Sequence, residues 1–497
     1  MTSSRKAVLD ELLEANPELN IPVNDYNINV TANQGMTINA EQLFAAYRDF
    51  DGAGRDTHLY FHLPLCDYIC HFCNYVKRKI RANSKAEELM QWTDLLIQET
   101  RFYLEQAPWT RETLVRSFYI GGGTGALLLN NEPAFRRLIT HVDRNFNLVK
   151  DCERSLEGNP ENFTEQSVEL ALDLGFNRFS VGVQSLQSEV NAFSNRGHSP
   201  EEALRSIQVL SKAGRPFSVD MMFGLPYQTP ESFERDIRTL VEFGVPSISL
   251  YRLRNVEREK MGIGNASVWN SEKHKQRLTE NGIFPSISMT YQMRDAATSI
   301  LRTNGYHPSP CGWWNKAGTY PDGNIPRVSK DKWEKYNSML AFGPGAYGWL
   351  SGNQPSFVQT HNITDINKYI AHMESNPTAP PLAYGRVLEG NIAIGTRLSF
   401  AFKANQPIKL DEYRELFGID LLNDEPYANV FAELLKRDLM ARSPDGRSVA
   451  PTWKGEELHE EIMYVYFHKA IGGTLDATCK RRTIPLQPLH ADFAVAK

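Results

Sequence analysis

Three cysteines lie within eight residues in the segment LPLCDYICHFCNYVKR, at the spacing C-x3-C-x2-C. Thiolates are ligands for soft metals, and one loop with this spacing can wrap three of them around an iron-sulfur cluster. A 4Fe-4S cluster takes four ligands, so Cys66, Cys70 and Cys73 would leave one iron open to a substrate or cofactor. The alternative is a zinc site completed by His62 or His71, although a second paired C-x2-C element, usual for zinc, is missing.

The other cysteines are isolated in the sequence. Six cysteines in 497 residues are too few for a disulfide framework. Cys152, Cys311 and Cys479 each stand alone, and an isolated thiol usually behaves as a small buried hydrophobic group. We interpret these three as structural or incidental.

The composition is that of a globular protein with two to four domains. The chain is 41% hydrophobic and 23% charged, and 54 basic against 59 acidic residues give a net charge of -5. No long basic run favours nucleic acid as a partner. No apolar run approaches the ~18 residues that a membrane span needs, and MTSSRKAVLDELLE lacks the apolar core of a secretory signal. We therefore expect a cytoplasmic protein without a membrane partner.

Short apolar runs alternate with helical segments from Thr57 onward. The predicted strands are THLYFHL, VRSFYIGGGT, RSLEGNP, NRFSVGVQS, FSVDMMFGLP and SISLYRL. The predicted helices are Lys85 to Leu104, Glu132 to Arg144, Thr164 to Leu174, Pro200 to Lys212 and Pro230 to Glu242. This alternation predicts an α/β fold with a parallel sheet, and six repeats suit a partial (β/α)6 TIM-like barrel better than a closed one. Active residues should lie at the carboxyl ends of the strands.

The rest of the sequence suggests further segments around this core. We predict an N-terminal arm or lid at 1–54, the barrel core at 55–255 and an aromatic-rich extension or cover at 256–380. A small helical C-terminal domain at 381–470 and a tail at 471–497 follow. The aromatic residues of the extension could stack on a flat substrate or form its core, and they include Trp313, Trp314, Tyr320, Trp333 and Tyr336.

The cysteine loop resembles the cluster loop of radical S-adenosylmethionine (SAM) enzymes. Further motifs resemble the branch typified by the oxygen-independent coproporphyrinogen III dehydrogenase, closely over residues 57–255 and loosely to about 445. They are Y-x-H-x-P from Tyr60 to Pro64, FYIGGGT, SLEGNP, and GLPYQT. The resemblance implies a 4Fe-4S cluster held by Cys66, Cys70 and Cys73, and SAM bound beside it.

The same resemblance assigns residues to the cluster-bound SAM. Tyr60 would border it, and Phe72 would pack beside its adenine, although either aromatic could be ordinary packing at a strand end. The glycine loop would hold its amino group through Gly122, Gly123 and Thr124. A tight turn would also explain those glycines, and Gly125 stands where the family usually has proline.

Polar residues at the ends of the later strands complete the predicted site. Glu157 would accept from an ammonium or ribose hydroxyl, and Arg196 suits the SAM carboxylate. Gln184 and Asp220 resemble residues that contact a second SAM, and Met222 belongs to the same run as Asp220. Each alone could be a surface polar residue. Asp220 and the three cysteines are the predicted catalytic residues.

Within this branch three functions are open. The dehydrogenase usually has a fourth cysteine, where this chain has Asn74, Tyr75 and Val76 after Cys73. Non-catalytic haem chaperones keep the same loop but are typically shorter. The motif CxxxCxFCNY followed by basic residues resembles that of the class C radical SAM methyltransferases and cyclopropanases of antibiotic and other natural-product pathways.

That third resemblance implies an enzyme with two SAM molecules. A 5′-deoxyadenosyl radical would take hydrogen from the second SAM, and the methylene radical would add to an sp2 carbon of an aromatic or heteroaromatic substrate. Methylation or cyclopropanation would follow. A flavodoxin- or ferredoxin-type reductant is expected, and the resemblance leaves room for a partner methyltransferase. A porphyrin-like substrate is the alternative.

Overall fold

The computed structural model describes most of the chain. The described residues are 3–17, 35–253, 280–308, 310, 312–317, 326–352, 355–375 and 377–472. Cys311, Tyr320, Cys479 and the tail beyond 472 lie outside them, as does part of the predicted extension.

The strands are numbered here in chain order. They are β1 Met36–Asn39, β2 Asp56–Leu63, β3 Leu65–Cys66, β4 Arg78–Lys79, β5 Leu114–Gly122, β6 Leu148–Gly158, β7 Arg178–Gln184, β8 Phe217–Phe223, β9 Ser247–Arg252, β10 Tyr306–Pro308, β11 Trp313–Lys316, β12 Ser338–Phe342, β13 Tyr347–Ser351, β14 Phe357–Asn362, β15 Leu382–Leu388, β16 Ile408–Lys409, β17 Met440–Arg442 and β18 Ser448–Pro451.

The helices fall between and after these strands. The α-helices are Ser3–Ala15, Ala40–Arg48, Lys85–Gln106, Trp109–Glu112, Glu132–Asn145, Glu165–Asp173, Ser188–Phe193, Pro200–Lys212, Pro230–Glu242, Ile287–Thr303, Arg327–Glu334, Ile366–Glu374, Gly390–Lys403, Leu410–Phe417, Tyr427–Lys436, Trp453–Glu457 and His459–Ile462. A π-helix follows at Met463–Gly472.

One large sheet organises the described residues. Its order is β1-β15-β14-β13-β12-β2-β5-β6-β7-β8-β9-β11-β10. The strands β12, β2, β5, β6, β7, β8 and β9 are parallel neighbours. This confirms the α/β prediction and each of its six strands.

The parallel core forms because its strands are apolar and its helices have strong start signals. Leu59, Phe61 and Leu63 on one face of β2 are buried, and so are His58 and His62 on the other, as expected for a strand covered on both faces. The helices after β7 and β8 begin with capping boxes at Ser199 and Thr229, each followed by proline. These signals start the crossover helices and so direct the strands to run parallel.

The sheet extends beyond the predicted strands on both sides. The aromatic-rich segment supplies β12, which pairs in parallel with β2, and the antiparallel strands β13 and β14. β15, at the start of the predicted C-terminal domain, pairs antiparallel with β14. On the other side β11 pairs antiparallel with β9. Near the N-terminus β1 pairs with β15. No periodic pattern predicts these strands, because most are short and lie beside glycine or proline.

A second core lies in the C-terminal part of the chain. Its buried side chains come mainly from Gly390–Lys403, Tyr427–Lys436 and the π-helix, and Leu9 and Leu12 pack with them. The bounds of the predicted domains stay predictions. Among the described residues, no helix is long and apolar enough to span a bilayer.

A buried ion pair fixes this second core to the barrel helix Ile287–Thr303. Arg294 Nη1 lies 3.0 Å from both carboxylate oxygens of Glu461, and the side chains are 7% and 0% exposed. We expect Arg294→Met to lower the free energy of unfolding by about 3–5 kcal/mol, because Glu461 would be left as an unpaired buried charge. Urea denaturation measures it.

The exposed ion pair of Arg238 and Glu234 is the matched control. Because both side chains are in solvent, Arg238→Met should cost less than about 1 kcal/mol. Equal losses of unfolding free energy in the two variants would show that burial does not determine how much the Arg294–Glu461 pair contributes to stability.

Candidate radical SAM site

The cysteine loop begins where β2 ends and is closed at its base by two short strands. Cys66 pairs with Lys79 across the parallel strands β3 and β4. Inside the loop, the backbone N–H of Cys73 donates to the carbonyl of Cys70 over 3.2 Å. The Lys77 ammonium donates to the carbonyls of Cys73 and Tyr75, at 2.6 and 3.1 Å. These contacts therefore fix the conformation of the loop that carries the three thiols.

The segment after β7 fixes the other side of this loop. The backbone N–H of His71 donates to Ser194 O over 3.0 Å, and Asn195 Nδ2 donates to Ile69 O over 2.7 Å. Arg196 Nη1 lies 3.3 Å from Cys70 Sγ and donates toward it. Arg196 thus lies beside the cysteines, as its predicted role requires.

The histidines do not complete a zinc site with these cysteines. Both nitrogens of His62 are engaged, Nδ1 with Tyr60 Oη at 3.2 Å and Nε2 with Val76 O at 2.7 Å. His71 Nδ1 is 2.8 Å from Phe193 O. In the described part of the chain, no three Cys, His, Asp or Glu side chains are grouped closely enough for a single ion.

The donor set fits a 4Fe-4S cluster instead. Burial raises the pKa of Cys66 to about 12, against a hydrogen bond with Thr124 that lowers it, and burial also raises the pKa of Cys73. Thiols in such surroundings become thiolates only beside positive charge, which cluster iron would supply. Three cysteines on one loop provide three of the four ligands, so SAM can take the fourth position.

The glycine loop at the end of β5 packs directly against the cysteine loop. The backbone N–H of Gly123 donates to Leu63 O over 2.8 Å. Gly122 has φ 104°, and a Cβ there would lie 2.7 Å from Nδ1 of His62. A Cβ at Gly121 would lie 2.3 Å from Glu157 Oε2. The glycines are therefore needed for close packing around His62 and Glu157, beyond the turn itself.

Replacing one of these glycines should disturb the cofactor site. Gly122→Ala puts a methyl group into the His62 ring, which anchors Val76 and with it the cysteine loop. We expect both the iron content and the SAM affinity of Gly122→Ala to fall. The positive φ should in addition cost about 1–2 kcal/mol of stability through backbone strain. Iron assay and isothermal titration measure these effects.

Gly214→Ala is the control for strain alone. Gly214 also has positive φ, 65°, but nothing lies within 4 Å of the added Cβ. It should lose stability and keep cofactor binding. If Gly122→Ala behaves in the same way, the close packing at His62 has no role in the site.

Two carboxylates belong to parallel strands of the sheet: Glu157 lies near the carboxyl end of β6, and Asp220 lies within β8. Tyr119 Oη donates to Glu157 Oε2 over 3.0 Å. Burial, followed by repulsion from Asp220, raises the pKa of Glu157 to about 7. Burial raises the pKa of Asp220 to about 6, against hydrogen bonds from Ser249 and Ser180. Both groups can change charge near neutral pH, which is typical of functional carboxylates.

Gln184 and Arg196 meet at the end of β7. Gln184 has φ 70°, an uncommon conformation for a residue other than glycine. Arg196 Nη2 donates to Gly182 O and, over 3.1 Å, to Asn159 Oδ1. A strained backbone at a strand end beside an oriented guanidinium is consistent with a binding site.

Phe72 and Met222 pack in one apolar cluster. The buried members of that cluster include Val190, Leu225 and Leu253. Phe72 therefore reaches from the cysteine loop to the end of β8, as an adenine-contacting residue would. The structure places the cysteine loop, the glycine loop, Glu157 and Gln184 at the carboxyl ends of parallel strands, with Tyr60 and Asp220 inside β2 and β8. The individual roles of these residues stay predictions.

Several tyrosines of the site were missed from the sequence. Tyr119 pairs in register with Tyr60, and their rings are 5.9 Å apart. Tyr75 and Tyr251 remain 55% and 40% exposed although burial raises the pKa of each. Tyr75 acts electrostatically on Tyr251, and Asp220 acts on both tyrosines. They therefore border a common solvent-exposed space beside the two carboxylates, which is called the cavity below. A tyrosine at a strand end was the available signal for Tyr119 and Tyr251.

The aromatic residues of the predicted extension divide between cavity and core. Trp313 Nε1 donates to Tyr251 Oη over 2.8 Å, and its ring lies 5.8 Å from that of Trp333. Trp314 is buried, and Tyr336 stacks on Phe400. Trp314 and Tyr336 therefore contribute to the core, and stacking on a substrate stays a prediction for the other aromatic residues of the extension.

A family model and several known proteins are similar to this chain in sequence. Residues 60–240 match the model of the Radical SAM superfamily. The heme chaperone HemW of Lactococcus lactis is 23% identical over 406 residues, covering 81% of this chain and 95% of that protein. The oxygen-independent coproporphyrinogen III oxidase of Pseudomonas aeruginosa is 28% identical over 349 residues, covering 67% and 69%.

A solved structure shares the fold. Coproporphyrinogen III oxidase (HemN) from Escherichia coli superimposes with a TM-score of 0.70 at 20% identity, covering 86% of this chain and 94% of that one. Over residues 60–240 the chain is similar to the Radical SAM superfamily, and its fold is that of the HemN structure. The predicted 4Fe-4S cluster and SAM agree with the match to that family model.

The predicted methylation or cyclopropanation of a natural product is wrong. The relatives compared above are a heme chaperone and coproporphyrinogen III oxidases. The misleading signal was CxxxCxFCNY, since residues that hold the cluster and SAM say little about the substrate. Substrate choice depends on the cavity wall, which those motifs do not include.

Proposed function

We propose that this protein is a radical SAM enzyme that binds a tetrapyrrole, a porphyrin or haem, in the cavity beside its cysteine loop. The observation that carries this proposal is the aromatic wall around two carboxylates, formed by Tyr60, Tyr75, Tyr119, Tyr251, Trp313 and Tyr347. Aromatic side chains bind a flat macrocycle by offset stacking. The names of the relatives, which refer to heme and coproporphyrinogen, support this substrate class.

The residues of the chain would bind and orient the two ligands. The cluster and SAM, when bound, supply a 5′-deoxyadenosyl radical that removes a hydrogen atom from a nearby C–H bond. Arg196 would pair with the carboxylate of SAM, and Glu157 with its ammonium. Hydrogen bonds from Arg196 to Asn159 and from Tyr119 to Glu157 hold the two side chains in place. The aromatic wall holds the substrate near the radical and excludes water and other hydrogen donors. A flavodoxin- or ferredoxin-type reductant remains part of this proposal.

A second candidate is a haem-binding chaperone without radical chemistry. The observation in its favour is that the match with HemW spans 95% of that protein. The same cavity would then hold haem as cargo. Glu157 and Asp220, carboxylates with raised pKa values beside the cysteine loop, favour the enzyme.

Product analysis tests the two candidates. Cluster-reconstituted protein is incubated anaerobically with SAM, dithionite and either coproporphyrinogen III or haem, and mass spectrometry follows 5′-deoxyadenosine and the tetrapyrrole. We expect 5′-deoxyadenosine together with a tetrapyrrole of altered mass. Tight haem binding without 5′-deoxyadenosine would support the chaperone. 5′-Deoxyadenosine with both tetrapyrroles unbound and unchanged would contradict tetrapyrrole chemistry.

A further inference from the structure

Lys332 is a cation held among aromatic rings rather than by acids. It belongs to the helix Arg327–Glu334, which packs against β5, β12 and the helix Gly390–Lys403. Its Nζ lies 4.9 Å from the ring centroid of Tyr347, 5.7 Å from that of Trp349 and 5.8 Å from that of Phe400. These three rings are called the Lys332 cage below. Ring faces attract the ammonium but give its N–H donors no strong acceptor.

Acidic groups near Lys332 are paired with other cations. Asp331 lies 3.0 Å from Lys335, and Glu334 lies 2.6 Å from Lys330. Within the described ranges, no carboxylate lies at ion-pair distance from Lys332. Burial accordingly lowers the pKa of Lys332 to about 8, because no negative charge compensates for the lost hydration.

Arg397 and His361, two other titratable groups beside the cage, do not act as a counter-ion for Lys332. Arg397 donates to Glu412 over 2.9 Å, so that guanidinium already has an acidic partner. His361 stacks on Tyr384, and burial lowers its pKa to about 3, with Arg386 and Lys332 adding to the effect. His361 is therefore neutral at physiological pH and is not a counter-ion.

The cage adjoins the cavity wall. Tyr347 packs in the same cluster as Tyr60 and Tyr119, the tyrosines next to the cysteine loop. The Tyr347 hydroxyl also acts electrostatically on Tyr60 and Tyr75. Lys332 itself is only partly buried. The ring of Tyr347 therefore borders both the Lys332 ammonium and the tyrosines of the cavity wall.

We propose that Lys332 and its cage form an anion subsite that binds a carboxylate side chain of the substrate. The inference rests on the proposed function, since many tetrapyrroles carry carboxylate substituents at the edge of a flat ring. The macrocycle would stack on the aromatic wall, and one carboxylate would accept from Lys332. Such a contact replaces the lost hydration of both charges and fixes the orientation of the ring in the cavity.

Binding measurements with matched ligands and variants test this subsite. The cluster-reconstituted protein is titrated with coproporphyrin III, which carries carboxylates, and with etioporphyrin, which carries none. We expect Lys332→Met to weaken coproporphyrin III binding by about 10- to 100-fold and to leave etioporphyrin binding unchanged. Lys330→Met, on the same helix, is the control and should change neither.

The pH dependence gives a second readout. In the wild type, coproporphyrin III affinity should fall as the pH rises above about 8, because Lys332 loses its proton. In Lys332→Met this dependence should disappear. If Lys332→Met binds coproporphyrin III as tightly as the wild type does, the subsite is overturned while the proposed function stands.

Failure of the proposed function has a different signature. If the wild type binds neither porphyrin, the tetrapyrrole proposal fails, and the subsite is tested with propionate instead. Acetic anhydride labels lysines, and peptide mass mapping reports each position separately. Protection of Lys332 by propionate, with Lys330 unprotected, would support a carboxylate subsite. Equal labelling of Lys332 with and without propionate would overturn it.

Discussion

Cys70→Ala should leave the protein folded but without bound cluster and without 5′-deoxyadenosine formation. The variant removes one of the three thiols of the cysteine loop, and His62 and His71 already bond to main-chain carbonyls. A cluster that keeps two protein ligands loses both affinity and the geometry that leaves one iron open to SAM. The measurements are iron and sulfide content after anaerobic reconstitution, followed by 5′-deoxyadenosine yield.

Cys152→Ala provides the matched control. Cys152 is a buried thiol on β6, outside the cysteine loop. It should keep full iron content and lose only the packing of one sulfur atom, about 1 kcal/mol. Near-normal iron and 5′-deoxyadenosine in Cys70→Ala would mean that Cys70 is not a ligand, and the C-x3-C-x2-C interpretation would have to be abandoned.

The parallel core could be predicted because its signals are local. Apolar strands such as β2 and β8 alternate with helices that begin at strong caps, Ser199 and Thr229 among them. Local patterns of this kind do not depend on distant parts of the chain. By contrast, β12 is a strand because it pairs with β2, with Ala341 opposite Tyr60, and no local pattern reveals that pairing.

The same distinction divides the candidate site. Cys70, Glu157 and Arg196 could be predicted because parallel strands bring their carboxyl ends to one edge of the sheet. Lys332 could not be predicted as a site residue, because its position over three aromatic rings depends on packing among elements that are distant in the sequence. The substrate was misassigned for this reason: its determinants lie in the cavity wall and have no sequence motif.

SAM affinity should rise with pH between about pH 5 and pH 8, and Glu157 should be the cause. Burial and Asp220 hold the pKa of Glu157 at about 7, whereas Tyr119 and Arg178 act to lower it. Below that value the carboxyl is largely protonated and cannot pair with the ammonium of SAM. Since SAM binding must then release a proton, affinity should fall by up to about tenfold for each pH unit below 7. Isothermal titration at several pH values measures it.

Glu157→Gln separates charge from shape. The amide keeps the size of the side chain and can still accept from Tyr119, but it carries no charge at any pH. We expect SAM binding about 10- to 100-fold weaker than in the wild type at pH 8, and nearly independent of pH. Asp220→Asn is the comparison, because it removes the repulsion that helps to raise the pKa of Glu157. In that variant the affinity should begin to fall at lower pH. An unchanged pH profile in Glu157→Gln would assign the titration to another group and remove Glu157 from the SAM site.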